Sequence, residues 1–358
     1  MHRPLFVLAA LSLVAACGDS SKQASTDTAG AAAPAQSTTS GADLTGAGAT
    51  FPNPLYSKWF DAYATKTGVK INYQSIGSGG GVRQISEQTV DFGASDAPMS
   101  DDELAKTKGG PVVHIPTIVG AVTVVYNLPD VAAGLKLSGD VIAAIFQGQI
   151  TKWNDARIVA LNAGVALPAT DILVVHRSDG SGTTYVFTDY LANVSPAWAT
   201  KPGKGKDVRW PVGIGAKGNE GVAGQVKQTP GAIGYVELAY ATQNRLTTAA
   251  VRNADGEFIA PSIESITAAA GGAASKLPPN TDYRVSIVNA PGKGVYPISS
   301  FTWIIAYTRQ REPAKGKLLT DFLKWALSDG QGHAASLDYA PLPESMRTAL
   351  VSRIDSIQ

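Results

Sequence analysis

The sequence predicts an α/β fold built on mostly parallel sheets. Two observations carry that expectation. From Leu44 onward, short runs with alternating or continuous apolar residues are interleaved with runs whose apolar residues recur at helical spacing. The segments that join them are short, polar and glycine-rich, and they follow the strand-like runs, where open α/β sheets hold their ligands. No internal repeat of solenoid length interrupts this order.

Taken along the chain, order begins near Leu44, and a first short strand precedes Thr50 and Phe51. Leu55, Trp59, Phe60 and Tyr63 then recur at helical spacing behind Pro52 and Pro54, which suit a helix opening. Val69 to Tyr73 alternates as a strand, and Val82 and Ile85 mark a short helix. Val90, Phe92 and Ala94 alternate again and lead into Ser95-Asp96-Ala97-Pro98. Val122 to Tyr126 is a strand rich in β-branched residues, and Val141, Ile142, Ile145 and Phe146 form a helical stripe. Ile172 to Val175 is a strand, followed by a helix through Tyr185, Val186, Tyr190, Leu191 and Val194. Ala232 to Val236 and Phe301 to Tyr307 are strands, and Leu318, Phe322, Trp325 and Ala326 form a late helix.

The chain has 358 residues, enough for about two domains. Its formal net charge of +1 gives no basic surface for nucleic acid, so any anion site must be local. Arg3 followed by the apolar run Leu5 to Ala16 reads as a secretory leader, since a membrane span needs about 20 residues. Val14-Ala15-Ala16-Cys17 resembles the bacterial lipobox. That resemblance implies lipidation of Cys17, which would become the mature N-terminus; the plain alternative is an ordinary signal peptide with an incidental cysteine. Cys17 is the only cysteine, so no intrachain disulfide is available. Residues 18–42 are rich in Ser, Thr, Ala and Gly and read as a flexible tether.

Two loops stand out as halves of an anion site. They are Gly77-Ser78-Gly79-Gly80-Gly81 and Arg177-Ser178-Asp179-Gly180-Ser181-Gly182-Thr183. Each lies between a strand-like and a helix-like run, where free amides of a helix start and nearby hydroxyls favour negative charge. Thr50 offers a hydroxyl and an amide, Phe51 an amide, and Pro52 ends that run of donors. Arg177 supplies a planar fork for two oxygens, and Asp179, two residues on, is placed to orient it. His176 faces away from Arg177 if strand alternation holds, and Trp153 and Trp210 read as packing residues.

Thr45-Gly46-Ala47-Gly48-Ala49-Thr50-Phe51-Pro52, Asp91-Phe92-Gly93-Ala94-Ser95-Asp96-Ala97-Pro98 and Asp179-Gly180-Ser181-Gly182-Thr183 resemble the periplasmic phosphate-binding proteins of phosphate ABC importers. Lys152-Trp153-Asn154-Asp155 and Pro230-Gly231-Ala232-Ile233-Gly234-Tyr235-Val236-Glu237 extend the likeness, which runs from about Leu44 to Tyr339. The resemblance implies a type II periplasmic-binding-protein fold. Its two α/β lobes, 43–116 plus 297–358 and 117–296, would be joined by two hinge crossings. It implies phosphate bound by Thr50, Phe51, Ser78 and Asp96 from one lobe and Arg177, Ser181, Gly182 and Thr183 from the other. It also implies delivery to membrane permease subunits from the periplasm or surface of a bacterium, as a lipid-anchored monomer without cofactor or metal. One departure lies inside a motif: relatives carry Ser-Ser where this chain has Ser78-Gly79, removing a hydroxyl beside the pocket.

Within that frame Asp96 discriminates. A carboxylate beside an anion repels it unless a proton lies between them. Phosphate near neutral pH keeps at least one proton and sulfate keeps none, so Asp96 would admit the first and refuse the second. A receptor for sulfate, molybdate or another oxyanion is therefore the lesser reading. A secreted phosphatase is disfavoured: neither Ser78 nor Ser181 sits in a Gly-x-Ser-x-Gly elbow, no P-loop run occurs, and the histidines at 2, 114, 176 and 333 do not pair at metal-ligand spacing.

Overall fold

A computed structural model describes residues 43–274 and 282–358. The leader ending at Cys17 and the tether 18–42 lie outside the described residues. The chain enters at strand Leu44–Gly48, which runs between Ile71–Ser75 and Phe92–Ser95 in a parallel trio. Between the first two strands lies helix Asn53–Thr67, with proline in its first turn. It buries Leu55, Tyr56, Trp59, Phe60 and Tyr63 and ends at Gly68, whose φ of 81° a side chain would disfavour. A second parallel trio places Leu173–Arg177 between Ala232–Glu237 and Ile214–Ala216.

Strand Val112–Tyr126 links the two trios. Its 15 residues pair antiparallel first with Ser299–Tyr307 and then, from Val122 to Tyr126, with Ala232–Glu237. Ser299–Tyr307 in turn lies antiparallel to Phe92–Ser95. The parallel expectation thus describes the outer strands, while the strands passing between the trios are antiparallel and make the sheet mixed. The sequence signal for Val112–Tyr126 was legible only after Gly120, because Pro116 interrupts it. In the structure the register shifts at that point: Thr302 faces Ile118 and Trp303 faces Pro116, leaving Thr117 as the extra residue. A proline cannot donate to the ladder, and a bulge absorbs the missing bond.

The main core is a continuous cluster. It includes Trp59, Phe92, Trp153, Phe187, Tyr235 and Trp303. Trp153 is buried with its indole N–H donating to the Gly231 carbonyl at 2.9 Å, and Trp210 stacks on His176 and Tyr235, so both are packing residues. The sequence did not reveal the small sheet of Lys136–Leu137, Ala250–Arg252 and Phe258–Ile259, nor helix Glu344–Ile354. No helix among the described residues is long and apolar enough to cross a membrane.

Candidate functional site

Every ligand residue expected from the resemblance falls at the end of a strand or the opening of a helix, while Cys17 lies outside the described residues. Thr50 and Phe51 lie between Leu44–Gly48 and Asn53–Thr67. Ser78 opens helix Ser78–Ser86, Asp96 follows Phe92–Ser95, and Arg177 ends its strand. Ser181 caps helix Gly182–Val194, its hydroxyl oxygen accepting from the Thr184 amide at 3.0 Å. Thr50, Phe51, Ser78, Asp96, Arg177, Ser181, Gly182 and Thr183 are all buried.

The structure brings them together. A Cβ placed on Gly182 would lie 2.4 Å from both the Asp96 Oδ2 and the Ser78 Oγ atoms, so only glycine lets the helix start approach this closely. Gly79 donates its N–H to the Gly180 carbonyl at 2.8 Å and thereby joins the two loops. A side chain at position 79 would meet Gly180 Cα at 3.0 Å. The hydroxyl missing from Ser78-Gly79 is therefore accompanied by a direct backbone contact between the loops.

Arg177 is held from its back. Its Nε and Nη2 donate to the two Asp179 oxygens at 2.7 and 2.5 Å, and its Nη1 donates to Thr183 Oγ1 at 3.4 Å. Burial pushes the Asp179 carboxyl up, but the Arg177 hydrogen bonds and charge, with the Gly218 amide, outweigh it and hold the carboxyl below its usual range. Asp179 thus orients the fork as expected. His176 faces elsewhere: its ring stacks on Trp210, and its Nδ1 lies 3.0 Å from the Arg177 carbonyl.

Asp96 is fully enclosed, and its surroundings set its charge. Burial pushes its carboxyl up to about 7, against the opposing effects of a hydrogen bond from Thr302, the Arg177 charge and a hydrogen bond from Ser78. Thr302 Oγ1 donates to its Oδ1 at 2.8 Å, and Ser78 Oγ lies 3.4 Å from its Oδ2. The strand bulge at Thr117 sits beside this contact, with the Thr117 hydroxyl donating to the Thr302 carbonyl at 3.2 Å.

One expected donor is otherwise engaged. Ser181 is expected among the ligands, but its amide donates to the Lys206 carbonyl at 2.8 Å. The Gly182 and Thr183 amides, in the first helical turn, have no intrahelical acceptor and remain as donors. The sequence reading also missed residues that support the site. Asn219, at the start of helix Gly218–Gln228, donates from Nδ2 to Thr50 Oγ1 at 2.8 Å and to Thr183 Oγ1 at 3.1 Å. Tyr235 accepts from the Arg177 amide at 3.2 Å, and Thr302 faces Asp96. Asn219 is buried and follows Gly218, whose φ is 73°, and neither fact is visible in the sequence. Among the described residues no group of three or more His, Cys, Asp or Glu is arranged to hold a metal ion.

A profile of the PBP superfamily domain matches residues 33–330. The phosphate-binding protein PstS of Xylella fastidiosa is 46% identical over 87% of this chain and 85% of its own length. This chain belongs to the PstS phosphate-binding protein family. The PstS protein of Pasteurella multocida is 47% identical over 86% of this chain and 89% of its own. Among solved structures, a phosphate binding protein from Stenotrophomonas maltophilia superposes with a TM-score of 0.65 at 23% identity, covering 87% of this chain and 93% of that one. At that identity the likeness speaks for the fold alone. It agrees with the α/β, PBP-type architecture expected from the sequence.

Proposed function

We propose that this PstS-family chain is an extracytoplasmic receptor that binds inorganic phosphate and delivers it to the permease subunits of an ABC importer. The ligand is held between two lobes, 43–116 plus 297–358 and 117–296, by Thr50, Phe51, Ser78, Asp96, Arg177, Ser181, Gly182 and Thr183. One observation carries this reading: a buried carboxyl, Asp96, stands in the same enclosure as a buried guanidinium and the free amides of a helix start. Arg177, Gly182 and Thr183 suit the anionic oxygens. Asp96 suits a ligand that is anionic and still carries a proton.

Because the donors come from both sides of the chain, the full set exists only when the loops meet, and the ligand favours that arrangement. The Gly79–Gly180 hydrogen bond and the Lys206–Glu103 ion pair at 2.5 Å support a closed form. The protein acts as a monomer, without catalysis or cofactor, tethered through a lipid on Cys17 at the periplasmic or outer face of a bacterial membrane. Calorimetric titration of the tether-free protein with phosphate, sulfate and arsenate tests the reading. At about pH 8, where Asp96 is charged, saturable phosphate binding with sulfate refused is expected. Preference for sulfate or molybdate would overturn it, and steady turnover of a chromogenic phosphate ester would point instead to a hydrolase.

A further inference from the structure

Asn219 is fully buried and is used on all sides. Its Oδ1 accepts from the Glu237 amide at 3.0 Å, which fixes which end of the carboxamide is oxygen and which is nitrogen. The NH2 group has two hydrogens, and each goes to a threonine hydroxyl oxygen: Thr50 at 2.8 Å and Thr183 at 3.1 Å.

Those oxygens are then full. A hydroxyl oxygen accepts through two lone pairs and donates one proton. Thr50 Oγ1 receives a second hydrogen bond from the Asn219 backbone amide at 3.3 Å. Thr183 Oγ1 receives its second from Arg177 Nη1 at 3.4 Å. With both lone pairs engaged, neither hydroxyl can accept from a ligand, and each must give its proton away. Among the described residues no acceptor takes either proton.

We propose that Asn219 is a positioning residue that makes Thr50 and Thr183 obligatory donors to the bound anion. It rests on the phosphate reading above and deepens it. Thr50 and Thr183 then favour the ligand's bare, charged oxygens, and the one oxygen that bears a proton is left to face Asp96. The site thus fixes which way the ligand's proton points as well as whether one is present. Glu237 supplies the amide that keeps the carboxamide from flipping.

The test is Asn219→Asp, which keeps the shape and replaces the donating NH2 by an accepting oxygen. The threonine protons turn toward that carboxylate and are lost to the anion, so phosphate affinity falls about a hundredfold or more. Asn219→Ala, which frees the hydroxyls without reversing them, costs about tenfold or less. Added negative charge alone would also weaken binding, and a double-mutant cycle separates the two. In a Thr50→Val/Thr183→Val background the Asn219→Asp penalty shrinks if it acts through the hydroxyls; an equal penalty in both backgrounds overturns the proposal.

Asn219→Asp binding within threefold of wild type overturns it as well. Failure of the wild type to bind phosphate removes the underlying reading, a distinct result. Should Asn219→Asp not fold, wild-type protein still decides the matter by NMR. The Thr50 and Thr183 hydroxyl protons should show scalar coupling to the phosphorus of bound phosphate, and absence of that coupling rejects the assignment.

Discussion

Gly182→Ala tests the close approach on which the site depends. An alanine Cβ at this position would stand 2.4 Å from Asp96 Oδ2 and from Ser78 Oγ, and 2.7 Å from Asp96 Cβ. Because Asp96 Cβ is also in the way, turning the carboxylate does not clear the clash. Comfortable carbon contacts begin at about 3.5 Å, so the helix start must withdraw by about 1 Å. Alanine suits the first turn of a helix, so the variant folds, and the strain falls on the closed arrangement. Overpacking of this size costs about 1–3 kcal/mol, which is a loss of phosphate affinity of about 5- to 150-fold. Titration calorimetry measures the loss, with thermal unfolding of the ligand-free variant as the control. A folded Gly182→Ala protein that binds phosphate within twofold of wild type would refute the reasoning.

Other expectations concern charge. At about pH 8, Asp96→Asn replaces a repelling oxygen by a neutral amide and should raise sulfate affinity relative to phosphate by about tenfold in competition titrations; an unchanged ratio removes Asp96 from the selecting role. The wild type should lose its selectivity in acid. With the Asp96 carboxyl pushed up to about 7, it is charged above that pH and neutral below it. Sulfate needs the neutral form, so its affinity should fall about tenfold per pH unit above about 7 and level off about one unit below. Titrations across this range check the slope, which Asp96→Asn should abolish. Asp179→Ala leaves the buried Arg177 guanidinium without its carboxylate and should destabilise the ligand-free protein by about 3 kcal/mol, read by calorimetric unfolding. Phosphate should restore part of that loss, giving a larger ligand-induced shift than in wild type.

The residues proposed as ligands stood out in the sequence because they follow strand-like runs. Ser78, Asp96 and Arg177 follow alternating strand-like runs, whereas Thr50 follows Leu44-Thr45-Gly46-Ala47-Gly48, which was legible only through the family resemblance. Asn219 was hidden for the opposite reason. The strand before it, Ile214–Ala216, is three residues long, and helix Gly218–Gln228 buries only Val222, Ala223 and Val226 among its apolar residues. Neither makes a readable period. The engaged Ser181 amide was invisible because its acceptor, Lys206, is distant in sequence and belongs to an irregular segment. The two-residue strands Lys136–Leu137 and Phe258–Ile259 are too short to alternate, and Pro116 masked the first half of the longest strand.

That longest strand has a mechanical consequence. Val112–Tyr126 changes partners between Ala121 and Val122 without any intervening loop. Movement of one trio relative to the other therefore has to be taken up as torsion along a continuous, hydrogen-bonded ribbon, not as the free swing of a linker. Such a ribbon resists bending across its hydrogen-bonded width more than it resists added twist.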